Sequence, residues 1–161
     1  MLKQEKKLNS LFVDTFNRIL KVEQRALNDG ILEEISLNEL HTIEAIGIEG
    51  PQTMSEVAAR LLVTVGTLTI SVNRLVKKGF VWRYRPEDDR RVVMVLLTEK
   101  GKDAYKLHQD FHGKMIKAVL SNLDKNEEKV LLQSMENIRN FFVDLDLSLQ
   151  EQNKEKTVKD K

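Results

Sequence analysis

The stretch from Ser55 to Gly101, SEVAARLLVTVGTLTISVNRLVKKGFVWRYRPEDDRRVVMVLLTEKG, leaves the fold little freedom. Thr53 or Met54 precedes a short helical segment that turns Val57, Ala58 and Leu61 to one side, and the pattern breaks at Leu62-Val63. Thr64 can cap a second helix, because its hydroxyl can accept from a free amide in the first turn. In that helix Leu68, Val72, Leu75 and Val76 form one apolar face, and Gly79 supplies a left-handed stop. Two helices must therefore meet across a very short turn. Val81 to Arg85 and Val92 to Leu97 follow, rich in β-branched and aromatic residues, with Pro86 and paired aspartates between them, which predicts a β-hairpin.

The flanks are helical. Leu8, Leu11, Phe12, Thr15, Phe16, Ile19, Leu20 and Val22 recur at three- and four-residue steps, predicting a first amphipathic helix that ends near Asn28-Asp29-Gly30. Ser36 with Glu39 three residues on is a capping box, opening a second helix through about Ile48 that Gly50-Pro51 ends. Thr98-Glu99-Lys100-Gly101 opens a long helix to about Leu120. Asp124 starts the last helix, with Val130, Leu131, Met135, Ile138, Phe141, Phe142 and Leu145 as its apolar face. From residue 148 the chain is polar with mixed charge and is expected to be a disordered tail.

This is the order of a winged helix-turn-helix: a mainly α fold with a small β-wing, plus long N- and C-terminal helices. A single domain over residues 1–147 is expected, with residues 36–97 as the helix-turn-helix and wing lobe and residues 1–35 and 98–147 as the flanking helices, to which the family resemblance given below assigns dimerisation. The 161 residues suffice for one core. No apolar run approaches the length of a membrane span, and MLKQEKKLNS lacks the apolar centre of a signal peptide, so a cytoplasmic protein without membrane contact is expected. With no cysteine, disulfides and thiolate metal sites are excluded. No Gly-rich phosphate loop, Gly-x-Ser-x-Gly or His-Glu-x-x-His points to an enzyme.

Net charge is only +1, so a polyanion partner has to be argued from local charge. From Arg74 to Lys102 nine Lys or Arg face four acids, a surplus of five. With Leu68 at the centre of the buried side of its helix, Gly66, Ile70, Asn73 and Lys77 fall opposite, with Thr67, Thr69 and Arg74 on the flanks. That face carries no acid to repel phosphate. Asn73 can give and accept along an adenine edge, Ile70 can press on a thymine methyl, and Thr67, Thr69, Arg74 and Lys77 suit bases or phosphates. Gly66 lets the helix start approach the backbone closely. In the hairpin tip, Arg90 and Arg91 suit the negative potential of a minor groove, and Asp88 or Asp89 can hold a neighbouring guanidinium in one rotamer. A solvated helix and an ordinary hairpin turn would account for each feature alone. A helical scaffold or adaptor protein is the competing class, and it would not need these groups displayed together.

The quoted stretch resembles the core of the MarR family of bacterial transcription regulators. The likeness rests on the capped helix at Thr64, the Leu75 to Gly79 ending, the Asp89-Arg90-Arg91 wing and Leu97-Thr98-Glu99-Lys100-Gly101. The resemblance implies a homodimer joined through its first and last helices on double-stranded DNA carrying an inverted repeat. Within the family, Glu-Leu-His-Thr-Ile around His41, Leu-Val-Thr-Val-Gly-Thr-Leu-Thr, and Leu-His-x-x-Phe-His-x-x-Met at His108 and His112 are similar to repressors of fatty-acid synthesis. That resemblance implies long-chain acyl carrier protein as corepressor, with Phe12, Phe16, Ile19, Ile43, Ile46 and Phe111 lining an acyl tunnel beside His41, His108 and His112. Each of these positions suits a plain core equally well. A zinc-responsive regulator is the rival reading. His108 and His112 are four apart on one helix face, and the family fold brings His41 and Glu23 close by, although that branch's additional cysteine ligand is missing.

Overall fold

The protein is represented by a computed structural model that describes the backbone of residues 2–27 and 30–159, with side chains described through residue 149. Among these residues the elements run α1 Lys3–Ala26, a 3-10 turn Gly30–Glu34, α2 Leu37–Ile46, β1 Gln52–Thr53, α3 Met54–Arg60, α4 Val65–Lys77, β2 Val81–Tyr84, β3 Met94–Leu97, α5 Glu99–Leu120 and α6 Lys125–Lys159. The six helices and the hairpin match the sequence reading. The chain groups into two compact units, residues 1–112 and residues 113–161.

In the first unit, side chains at helical spacing set the core. Ile43 and Ile46 of α2, Val57 of α3, and Leu68, Val72 and Leu75 of α4 are fully buried with Phe80 and Val95. Val76 was expected on the same face but is 37% exposed. At about 100° per residue it stands roughly 80° round from Leu68, at the edge of the buried arc. Caps fix the helix starts. Ser36 and Thr53 each accept from the third amide of their helices, and Glu39 and Glu56 return the bond to the cap backbone. Glu39 is nearly buried and also receives Lys78 Nζ at 2.8 Å, tying the start of α2 to the end of α4. Helix α2 stops at Ile46, earlier than Gly50-Pro51, because Gly47 takes φ +72°, a conformation that residues with a Cβ rarely adopt.

The hairpin is part of a three-stranded antiparallel sheet of order β1-β3-β2. Val81 pairs with Leu97, Arg83 with Val95 and Tyr84 with Met94, while Gln52 and Thr53 pair with Val95 and Met94 from the other side. Strand β1 was not anticipated. Gly101, in the first turn of α5, lies where a Cβ would come within 2.1 Å of the Phe80 carbonyl oxygen.

In the second unit, α6 starts at the Asp124 cap, whose carboxylate accepts from the amides of Asn126 and Glu127. Its apolar side chains Val130, Met135, Phe141, Phe142 and Leu145 are exposed on the single chain, with Leu131 and Ile138 half-buried. The backbone stays helical to Lys159, beyond the expected onset of a disordered tail at residue 148. Side chains of that tail from residue 150, and residues 160 and 161 entirely, lie outside the described residues. Among the described residues no single helix is long and apolar enough to cross a membrane.

Candidate nucleic-acid interface

Helices α3 and α4 meet at 106° across Leu61 to Thr64, within the usual range of a helix-turn-helix. The turn is tight enough that Leu62 takes φ +55° and stands 85% exposed. Thr64 caps α4, accepting from the Thr67 amide at 3.1 Å, and its hydroxyl lies 2.9 Å from that of Thr67. Gly66, Thr67, Ile70, Asn73, Arg74 and Lys77 are all exposed, as expected of a reading face. Thr69 departs from the expectation. It is half-buried and its hydroxyl donates to Val65 O at 2.7 Å, so it is engaged with its own helix. No acid occurs between Val57 and Pro86, so α4 and β2 present only neutral and cationic groups.

At the wing tip, Asp89 Oδ1 accepts from the Arg91 amide at 3.0 Å and from Arg91 Nε at 3.2 Å. The aspartate thus holds an arginine, and the arginine it holds is Arg91. Arg90 is exposed and its guanidinium has no protein partner among the described residues, and Asp88 is exposed. Arg85 Nη1 donates to the Arg90 carbonyl, which fixes the loop.

Sequence reasoning missed Arg83 and Arg85. Arg83 Nη1 donates to Oδ1 of Asn73, linking strand β2 to the outward face of α4. Both arginines line a groove of about 740 Å³ between α4 and the wing, with Thr53, Val65, Thr69, Tyr84 and Arg91. Three guanidinium groups and no carboxylate line it, so it favours an anion. The alternation of arginines at 83 and 85 in a strand-like run was the available signal.

The histidines converge. His41 Nε2 lies 3.7 Å from Glu23 Oε2, while His108 Nε2 and His112 Nε2 lie 3.8 Å and 3.2 Å from Glu23 Oε1. The Nε2 atoms of His108 and His112 are 3.0 Å apart. Glu23 and His108 are buried; His41 and His112 are partly open to solvent. Behind His108, Nδ1 approaches Glu44 Oε2 at 3.3 Å in a poorly aligned contact, leaving it without a well-formed hydrogen bond. The His108 ring holds the Glu44 carboxyl below its ordinary range, outweighing burial, which pushes the other way. Tetrahedral zinc with bonds near 2.0–2.2 Å spaces its ligand atoms by about 3.3–3.6 Å, which these separations bracket.

The expected acyl-lining residues are not drawn together. Ile43 and Ile46 belong to the filled core, Phe12 and Phe16 stand 43% and 65% exposed on α1, and Ile19 and Phe111 are half-buried. The buried isoleucines follow from α2 facing α4. The exposed phenylalanines belong to an apolar face of α1 that stays open to solvent among the described residues.

Comparison with known proteins bears on the whole arrangement. Residues 35–93 match the model of the MarR family. The transcriptional regulator BilQ of Clostridium symbiosum is 35% identical over 107 residues, 66% of this chain and 74% of its own. Streptococcus pneumoniae FabT, solved in complex with DNA, superposes with a TM-score of 0.82 at 36% identity, covering 88% of this chain and 99% of that one. The regulator BldR of Sulfolobus solfataricus superposes with a TM-score of 0.62 at 28% identity, covering 87% and 99%. Helix-turn-helix, wing, acid-free surface and relatives agree: the chain belongs to the MarR family and is a DNA-binding transcriptional regulator, not an enzyme.

Proposed function

We propose that this protein is a homodimeric repressor of fatty-acid synthesis genes. It would set α4 in the major grooves and Arg90 in the flanking minor grooves of an inverted-repeat operator. The observation that carries the DNA geometry is the acid-free α4 face beside a wing whose tip keeps Arg90 unpaired and Arg91 clamped by Asp89. Exposed apolar side chains on α1 and on α6 support pairing with a second copy, since one chain leaves them uncovered. The fatty-acid assignment is supported by the similarity to FabT over nearly all of that chain.

Long-chain acyl carrier protein is the proposed corepressor. Gel-shift titration of an operator duplex should show tighter binding when the acylated carrier is added. The carrier should in turn bind tighter when operator is present, because coupling free energy is reciprocal. No response to the acylated carrier would remove the fatty-acid reading while leaving DNA binding untouched.

A second reading is favoured by one observation: Glu23, His41 and His108 bring donor atoms within 4.8 Å of one another, and His112 Nε2 approaches the same Glu23 carboxylate at 3.2 Å. In that case the effector is Zn(II), with Glu44 orienting His108 from outside the donor set. Calorimetric titration with Zn(II) separates the two. Binding that His112→Ala and His41→Ala both weaken, together with zinc-dependent operator affinity, would establish the metal reading. An unchanged operator affinity at saturating zinc would dismiss it.

A further inference from the structure

Asn73 sits in the middle of the outward face of α4, yet its side chain is not free to choose an orientation. Arg83 Nη1, from strand β2, lies in hydrogen-bond contact with its amide. A guanidinium has five donors and no acceptor, so the amide atom facing it has to be the oxygen. Oδ1 therefore points to the wing and Nδ2 to solvent, where it has no protein partner among the described residues. Arg83 is itself held from behind. Its backbone pairs with Val95, a fully buried residue of the central strand that Gln52 pairs from the other side.

This arrangement changes what Asn73 can read. A bidentate pair with adenine needs the amide oxygen to accept from N6 while the amide nitrogen donates to N7. With Oδ1 turned to Arg83 and Nδ2 unengaged, Asn73 meets the groove foremost through its donor. A donor suits O6 of guanine and O4 of thymine, whereas at adenine an amino group stands in place of that acceptor and only N7, which guanine offers too, can accept.

We infer that Arg83 is a positioning residue that sets base preference through Asn73, selecting guanine or thymine over adenine at one position of each half-site. The inference rests on α4 being the base-reading helix. It also corrects the adenine-edge role that the sequence suggests for Asn73.

The test is selection from a pool of duplexes randomised across two half-sites, using wild type, Arg83→Ala, Asn73→Ala and Asn73→Asp, with affinities of the selected duplexes measured at several salt concentrations. Arg83→Ala frees the amide, so adenine should gain at one position by roughly tenfold against guanine or thymine, the scale of one base contact. The slope of log affinity against log salt should hardly change. Asn73→Asp replaces the donor with a second acceptor and should abolish the guanine or thymine preference at that position. If Arg83→Ala does not fold, as judged by circular dichroism, Asn73→Asp still reads the orientation, and a retained preference there refutes it. A uniform loss over all duplexes with a slope smaller by about one would make Arg83 a phosphate contact and overturn the inference. If Asn73→Ala left the whole selected profile intact, the assignment of α4 as reader would fail instead.

Discussion

Gly101→Ala should destabilise this protein even though alanine is the better helix former. The added Cβ would lie 2.1 Å from the Phe80 carbonyl oxygen and 3.2 Å from Leu97 Cβ. An ordinary carbon–oxygen contact is about 3.3–3.6 Å, so α5 and the turn before β2 have to part by about 1 Å. Three bonds cross that junction: Thr98 N to Phe80 O at 3.0 Å, Thr98 Oγ1 to Gly79 O at 2.7 Å and Lys100 Nζ to Lys78 O at 3.2 Å. Overpacking costs about 1–3 kcal/mol and one lost hydrogen bond about 1 kcal/mol, offset by about 1 kcal/mol of helix propensity. The net is about 1–3 kcal/mol, or a fall in Tm of about 2–12 °C for a chain of this size. Gly113→Ala is the internal control. It lies in the same helix with nothing within 4 Å of its added Cβ, and it should gain up to about 1 kcal/mol. Both are read by thermal and urea unfolding at one protein concentration, because the proposed dimer would make stability concentration-dependent. A Gly101→Ala protein as stable as wild type, alongside the expected gain at Gly113, would refute the packing argument.

Arg90→Ala should weaken operator binding and reduce the slope of log affinity against log salt by about one, since a phosphate contact releases roughly one counterion. Asp89→Ala should act through Arg91, lowering affinity severalfold without changing the slope, because it frees a clamped guanidinium and removes none. For Glu39, burial alone would raise the pKa, but the bonds from Lys78 and Ser36 outweigh it and hold the carboxyl below its ordinary range. Its contribution is therefore present above the unfolded pKa, about 4.3, and lost as pH falls through the folded value. Glu39→Gln should accordingly cost about 1.5–3 kcal/mol in urea unfolding at neutral pH, and the gap to wild type should close below about pH 4. Thr64→Ala should cost about 1 kcal/mol through the lost cap, read in the same assay.

The helices of the first unit were legible because local signals agree with the packing. Ser36 and Thr64 cap where the sequence places caps, Thr53 proves to be the cap of α3 where the sequence leaves Thr53 or Met54 open, and Gly79 takes φ +78° at the end of α4. What escaped depends on distant partners. Strand β1 is two residues long with no strand-like run, and it exists because Val95 and Met94 offer it an edge far along the chain. The Arg83–Asn73 bond joins two elements whose crossing no periodicity encodes. Thr69 has the right angle to face DNA, but its hydroxyl finds the Val65 carbonyl first. The histidines could be paired by spacing, whereas their meeting with Glu23 needed the fold. Phe12 and Phe16 recur at helical spacing, which marks a face to be covered without saying what covers it.

Thr53 ends strand β1 and caps α3 in the same residue, and β1 is stitched to the strand that carries the wing. No slack separates the finger from the helix pair. Any signal that loosens the grip on DNA must therefore tilt this lobe bodily or, in the proposed dimer, alter the gap between two such lobes, because bending the finger at its base would tear a strand and a helix start together.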